Sequence, residues 1–342
     1  METKIFFRNQ LDEAATLLKA GHLVAFPTET VYGLGADALN PEAVLKIFAA
    51  KGRPADNPLI IHVKEAEDAL GLAFTNAKFY LLAKTFWPGP LTMVLPRKPI
   101  VPNVTTGGLD TVALRCPRNT IALELIAKAN TPLAAPSANR SGRPSPTEAF
   151  HVLEDMKGII AGVVDGGHTG IGLESTVLDL TTDTPQILRP GGVTLEMLRE
   201  VLPETDFAVY HHGEKVKSPG LKYKHYAPKA PVYRVFGEPE KQLELILEQI
   251  KDNPTKKIGV LATSEYFSHY PTEHKISLGS RKDPMEIAGN LYSALRYFDS
   301  TDVEYILAET ITGAGLKVAI NDRLDRASGG RTLEDFLQDI RR

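Results

Sequence analysis

The sequence predicts an α/β protein in two parts, an N-terminal twisted mixed sheet flanked by helices and a smaller C-terminal parallel α/β unit. Three observations carry that expectation. Short apolar runs alternate with helical periods through the first 205 residues. Several neighbouring strand candidates there have no helix between them, which requires some antiparallel pairing. After a turn-rich stretch the alternation becomes regular, as in a parallel crossover sheet.

Taken in order, residues 11–20 have a helical apolar period and 22–26 form a short strand. Asn40 before Pro41 supplies an N-cap and a proline at the first helical position, so 42–50 is a helix that stops at Gly52. Residues 59–63 are a buried strand, and 93–95, 112–114, 133–135, 163–165, 177–180 and 186–188 are shorter strands. The stretch 211–228 contains Ser218-Pro219-Gly220 and Ala227-Pro228 and no apolar period, which marks a boundary. Beyond it, strand 232–236, helix 241–250, strands 258–262 and 276–278, helix 284–298 and strand 303–308 build a Rossmann-like unit. The expected organisation is a first domain over 1–205, a linker or lid over 206–230 and a second domain over 231–342.

Composition excludes whole classes of function. With 43% hydrophobic and 24% charged residues in 342, the chain is an ordinary globular protein. No apolar run is long enough to cross a bilayer and no basic leader opens the chain, so a cytoplasmic protein is expected. A single cysteine, Cys116, excludes an intrachain disulfide and zinc fingers. The balance of 39 bases against 42 acids is not that of a protein that coats nucleic acid. Placement matters more than the total: between Glu214 and Glu238 stand Lys215, Lys217, Lys222, Lys224, Lys229 and Arg234 without one acid. That tract suits either a linker closing over an anion or a solvated spacer.

Standard catalytic signatures are missing: there is no Walker A string, His-Glu-x-x-His, Gly-x-Ser-x-Gly or strand-coupled dinucleotide fingerprint. What the sequence offers is five polar clusters mixing bases with hydroxyls, amides and glycines. They are Pro27 to Gly35, Lys51 to Pro58, Thr111 to Arg118, Pro136 to Gly142, and Glu174-Ser175-Thr176 with Arg189-Pro190-Gly191-Gly192. Such loops suit a polyphosphate, because glycines let backbone N–H groups approach oxygens while Lys and Arg offset charge. Singly, each also reads as ordinary turn chemistry, and His62 on its apolar strand reads as a core histidine.

The strings Pro27-Thr28-Glu29-Thr30-Val31-Tyr32-Gly33-Leu34-Gly35, Lys51-Gly52-Arg53-Pro54, Phe86-Trp87-Pro88-Gly89-Pro90-Leu91-Thr92, Pro136-Ser137-Ala138-Asn139 and Glu174-Ser175-Thr176-Val177 resemble the YrdC/Sua5 family in the order expected. Ser218-Pro219-Gly220-Leu221-Lys222-Tyr223-Lys224-His225-Tyr226-Ala227-Pro228 and the α/β tail resemble the longer Sua5 form. The resemblance implies a YrdC-like catalytic domain and a nucleotidyltransferase, an L-threonylcarbamoyladenylate synthase. Such an enzyme turns L-threonine, bicarbonate or CO2 and ATP into threonylcarbamoyl-AMP and pyrophosphate. The product feeds the tRNA threonylcarbamoyl-transfer machinery that makes t6A at position 37, leaving open whether tRNA itself is bound.

Carried over by position, Thr30, His62, Arg115, Ala135 and Ser175 match threonine-binding places. Lys51, Arg53, Asn57, Thr111, Ser137, Asn139, Ser145 and Arg189 match ATP-binding places, with Lys51, Arg53, Ser137 and Asn139 as the catalytic signature. Tyr226, in preference to Tyr223, is expected over the nucleotide. Mg2+ is expected on the phosphates, bound mainly through ATP and water with no dedicated protein cage. Two rivals stand beside this reading: a non-catalytic RNA-binding module with a YrdC-like fold, and a carbamoyl-transfer enzyme of hydrogenase maturation, whose zinc fingers one cysteine cannot build.

Overall fold

The computed structural model describes residues 2–209 and 226–340. It divides into two compact units, one of residues 1–141 and 145–223, the other of residues 142–144 and 224–342. The three residues 142–144 group with the second unit through named bonds: Ala227 N–H donates to Gly142 O, Arg296 to Pro144 O, and Arg143 pairs with Asp299 at 2.9 Å.

The first unit holds eleven strands: β1 (Lys4–Phe6), β2 (Val24–Phe26), β3 (Gly33–Asp37), β4 (Ile60–His62), β5 (Leu91–Pro96), β6 (Thr111–Arg115), β7 (Leu133–Ala134), β8 (Gly162–Val164), β9 (Thr176–Asp179), β10 (Gln186–Arg189) and β11 (Asp206–Phe207). Their order is β1-β8-β2-β3-β7-β4-β6-β5-β9-β10-β11. Pairing is mixed as expected, with β4 and β6 parallel while β3, β7 and β4 run antiparallel in turn.

One expectation is corrected here. Gly33, Leu34 and Gly35 read as part of a loop, but they open β3. Glycine normally weakens a strand; here a Cβ on Gly35 would stand 2.8 Å from the Phe26 ring and 3.0 Å from Val24 O. Only glycine lets β3 lie this close to β2. The helix Pro41–Lys51 begins and ends as its sequence dictates: Asn40 Oδ1 accepts from the Glu42 and Ala43 amides, and Gly52 takes a left-handed φ of +60°. It buries Val44, Ile47 and Phe48 in the core and sets Lys51 on its last turn.

The second unit contains β12 (Val232–Val235), β13 (Ile258–Ala262), β14 (Lys275–Ser277) and β15 (Tyr305–Glu309), ordered β12-β15-β13-β14 and wholly parallel. Helices Pro239–Asp252, Pro284–Tyr297, Leu316–Ser328 and Leu333–Asp339 accompany the sheet. Among the described residues no helix is long and apolar enough to cross a membrane.

Candidate active site

The loop after β2 does not stay at its own strand end. Glu29 follows β2 and Arg115 ends β6, with β3, β7 and β4 between those strands. Four strand spacings amount to about 19 Å in a flat sheet, yet Glu29 Oε2 lies 2.7 Å from Arg115 Nη2. The loop therefore crosses the sheet face. Ile171 N–H donates to Glu29 O and Gly172 N–H to Thr30 O, which pins it there.

Around this crossing the structure gathers the residues expected to bind threonine. His62 and Arg115 are register partners on β4 and β6, and Phe26 presents its ring to His62 at 6.0 Å. Met93 pairs with Leu114, so Thr92 falls opposite Arg115; the Thr92 hydroxyl meets Ser175 Oγ at 2.8 Å. Thr30 is buried with its hydroxyl 2.8 Å from that of Thr28. Ala135 donates its N–H to Ile60 O, two residues before His62 on β4.

The electrostatics are unusual for a protein interior. Arg115 and Glu29 side chains are 4% and 11% exposed. Their contact is an ion pair without hydrogen-bond alignment: Arg115 Nη2, both Glu29 oxygens and His62 Nδ1 are buried and have no hydrogen-bond partner. Burial, then the neighbouring Arg115 charge, push the His62 imidazole down to about 3, so it stays neutral at physiological pH. Cys116 is no nucleophile, since burial pushes its thiol up to about 12.

A stability prediction follows from His62. The unfolded imidazole takes a proton below its ordinary 6.5, while the buried one resists until about 3. Between those values the unfolded state holds more protons, so stability falls as pH drops, by about 2 kcal/mol at about pH 5. Denaturant melts of the parent and His62→Gln across this window should show a shallower slope for the variant; equal slopes would contradict the assignment.

The residues expected to bind ATP make their own contacts. Lys51 Nζ donates to the carbonyls of Ser137 and Asn139, so the ammonium fastens the Ser-x-Asn loop. Ser137 bridges to Gly33, and Leu34 N–H donates to Pro136 O, which joins that loop to the start of β3. Arg53 Nη2 donates to Pro58 O at 3.1 Å and braces its own loop. Asn57 precedes β4 and Thr111 opens β6, whereas His62 and Arg115 end those strands. The expected site residues thus lie near both ends of β4 and β6.

Arg189 joins the two groups, donating from Nε and Nη2 to Ser175 O at 3.1 and 2.9 Å and from Nη2 to Ser175 Oγ at 3.2 Å. Gly191 packs so closely that a Cβ would meet Thr176 N at 2.4 Å and Glu174 O at 2.5 Å. Ser145 Oγ donates to buried Glu174 at 2.6 Å.

Sequence reasoning gave no role to Glu29, Thr92 or Glu174, although all three stand inside the quoted strings. For the two glutamates, the only trace in the sequence was a carboxylate standing among hydroxyls within a quoted string. Tyr226 is described with the second unit, at a left-handed φ of 64°, with its ring 5.1 Å from Tyr292 and under the Arg323 guanidinium. Tyr223 and most of the expected lid lie outside the described residues.

Comparison with known proteins finds relatives over both units. The family model for Sua5, YciO and YrdC proteins, described as Telomere recombination, matches residues 16–191. The model described as Threonylcarbamoyl-AMP synthase, C-terminal domain, matches residues 193–329. Threonylcarbamoyl-AMP synthase of Bacillus subtilis is 49% identical over 95% of this chain and 94% of its own. The Schizosaccharomyces pombe enzyme of that name is 40% identical, covering 94% and 88%. The crystal structure of Pyrococcus abyssi Sua5 complexed with L-threonine superposes with a TM-score of 0.91 at 47% identity, over 97% of this chain and 99% of that one.

Proposed function

Because the chain belongs to the Sua5 branch of the YrdC family of threonylcarbamoyl-AMP synthases, we propose that it joins L-threonine, a carbon from bicarbonate and ATP into threonylcarbamoyl-AMP and pyrophosphate. The observation that carries this reading is the buried Arg115 and Glu29 pair beside a neutral His62, with hydrogen-bonding capacity left over on each. Such a pair is costly in a protein interior and is complementary to one small zwitterion, an α-amino acid.

Arg115 takes the threonine carboxylate through a charge-assisted fork. Thr30 and Ser175 supply hydroxyls, His62 an uncharged imidazole, and Ala135 a wall too small to intrude. The threonine carbamate oxygen then attacks the α-phosphorus and pyrophosphate leaves. No protein nucleophile takes part; positioning and charge neutralisation do the work. Lys51 holds the loop that presents Ser137 and Asn139, while Arg53, Asn57, Thr111, Ser145 and Arg189 line the path of the nucleotide.

Mg2+ fits this donor set as a passenger on the triphosphate, with water and substrate oxygens as most of its ligands and the Ser145-bonded Glu174 as the carboxylate at hand. When bound it offsets phosphate charge. The product, an activated acyl donor, suits an enzyme that transfers the threonylcarbamoyl group to adenosine 37 of tRNA. The catalytic identity of the relatives sets aside the rival RNA-binding module.

Pyrophosphate release, followed while each substrate is omitted in turn, tests the reading. Release is expected only with threonine, bicarbonate and ATP together; release indifferent to threonine would overturn it.

A further inference from the structure

We propose that Glu29 is a catalytic residue that holds the threonine ammonium and accepts its proton, freeing the amine to capture CO2. The inference rests on the threonine reading above and starts from what that reading leaves unexplained. Arg115 has one buried carboxylate partner already, Glu29 at 2.7 Å, and the contact lacks hydrogen-bond alignment. An incoming amino-acid carboxylate competes for that guanidinium. It displaces Glu29, and the ammonium on the adjacent carbon then lies beside the carboxylate just released.

The chemistry needs such a group. An ammonium has no lone pair and cannot attack CO2. One proton passes from the ammonium to the Glu29 carboxylate, giving a neutral amine and a neutral carboxylic acid. The nitrogen lone pair forms a bond to the carbon of CO2 while one C=O π pair moves onto oxygen. A second N–H proton leaves to water, and the carbamate anion results. Glu29 returns its proton to solvent when its pair with Arg115 re-forms.

The surroundings favour this assignment. Arg115 pairs with Glu29, Cys116 feels the charge of both, and His62 feels that of Arg115. Cys116 holds its proton and His62 resists taking one. The backbone is fixed while the side chain swaps partners, because Ile171 N–H holds Glu29 O at 2.8 Å.

The test uses the full-length chain with Glu29→Gln, which keeps the shape and removes the base. At about pH 7, pyrophosphate release should fall by about 10²-fold or more, while threonine affinity by calorimetry changes less than about tenfold. As pH rises toward about 9.5, where free threonine loses its own proton, the variant should recover toward the parent. Parallel pH profiles for parent and variant, or a loss confined to threonine KM, would overturn the proposal. Should Glu29→Gln fail to fold, Glu29→Asp decides: a lowered kcat at unchanged threonine KM supports the role, and a purely KM effect refutes it. Threonine-independent release by the parent would instead sink the function reading, so the two failures are told apart.

Discussion

Arg115→Ala is expected to weaken threonine binding by about 10²-fold while ATP affinity stays within about threefold, since a charge-assisted fork is worth about 2–3 kcal/mol. The asymmetry comes from position. Arg115 ends β6, opposite Thr92 and beside His62, whereas, of the residues expected to bind the nucleotide, Asn57 precedes β4, Thr111 opens β6, and Ser137 and Asn139 sit on the Ser-x-Asn loop. The substitution also leaves Glu29 buried without a counter-charge, which costs about 3 kcal/mol or more of stability. Calorimetry with each ligand on folded variant checks this, and equal losses for threonine and ATP would reject the assignment.

Lys51→Met should have an effect at least as large, on the other substrate. Its ammonium holds two carbonyls, those of Ser137 and Asn139, and is itself buried at the end of a helix whose boundaries are fixed by Asn40 and Gly52. Methionine keeps the length and loses both donors. The orphaned carbonyls free the loop, and kcat/KM for ATP is expected to fall by about 10²–10³-fold, a loss typical of removing one preorganised electrostatic contact. Threonine binding measured without ATP should barely change. Steady-state kinetics beside calorimetry decide, and loss of threonine affinity equal to the loss for ATP would contradict a local role.

Much of this was legible in the chain. Asn40-Pro41 and Gly52 gave the helix that carries Lys51, because capping chemistry is local. Strand pairs without helices between them implied the mixed sheet, and β12 to β15 followed from their regular alternation. Other features depended on distant partners. β3 was hidden because its glycines are explained only by Phe26 and Val24 lying against them. The passage of the β2 loop across the sheet to Arg115 was hidden for the same reason, since no spacing in sequence encodes a contact between Glu29 and a residue on β6. The bases stood out by type, and the carboxylates that complete their surroundings, Glu29 and Glu174, became visible only with their burial.

Lys51 and Arg189 also changed meaning. Both were expected at ATP-binding places, and both are spent in part on backbone carbonyls of the loops that carry Ser137, Asn139 and Ser175. Their charge reaches the site together with the geometry they impose on it.

The central claim is that one hollow unites threonine, a bicarbonate carbon and the α-phosphate of ATP. Mass spectrometry of the nucleotide product made from 13C-bicarbonate tests it directly. An AMP adduct bearing both threonine and the heavy carbon, formed only when threonine is supplied, is the predicted result. An AMP adduct without the label, or ADP as the sole nucleotide product, would contradict the account.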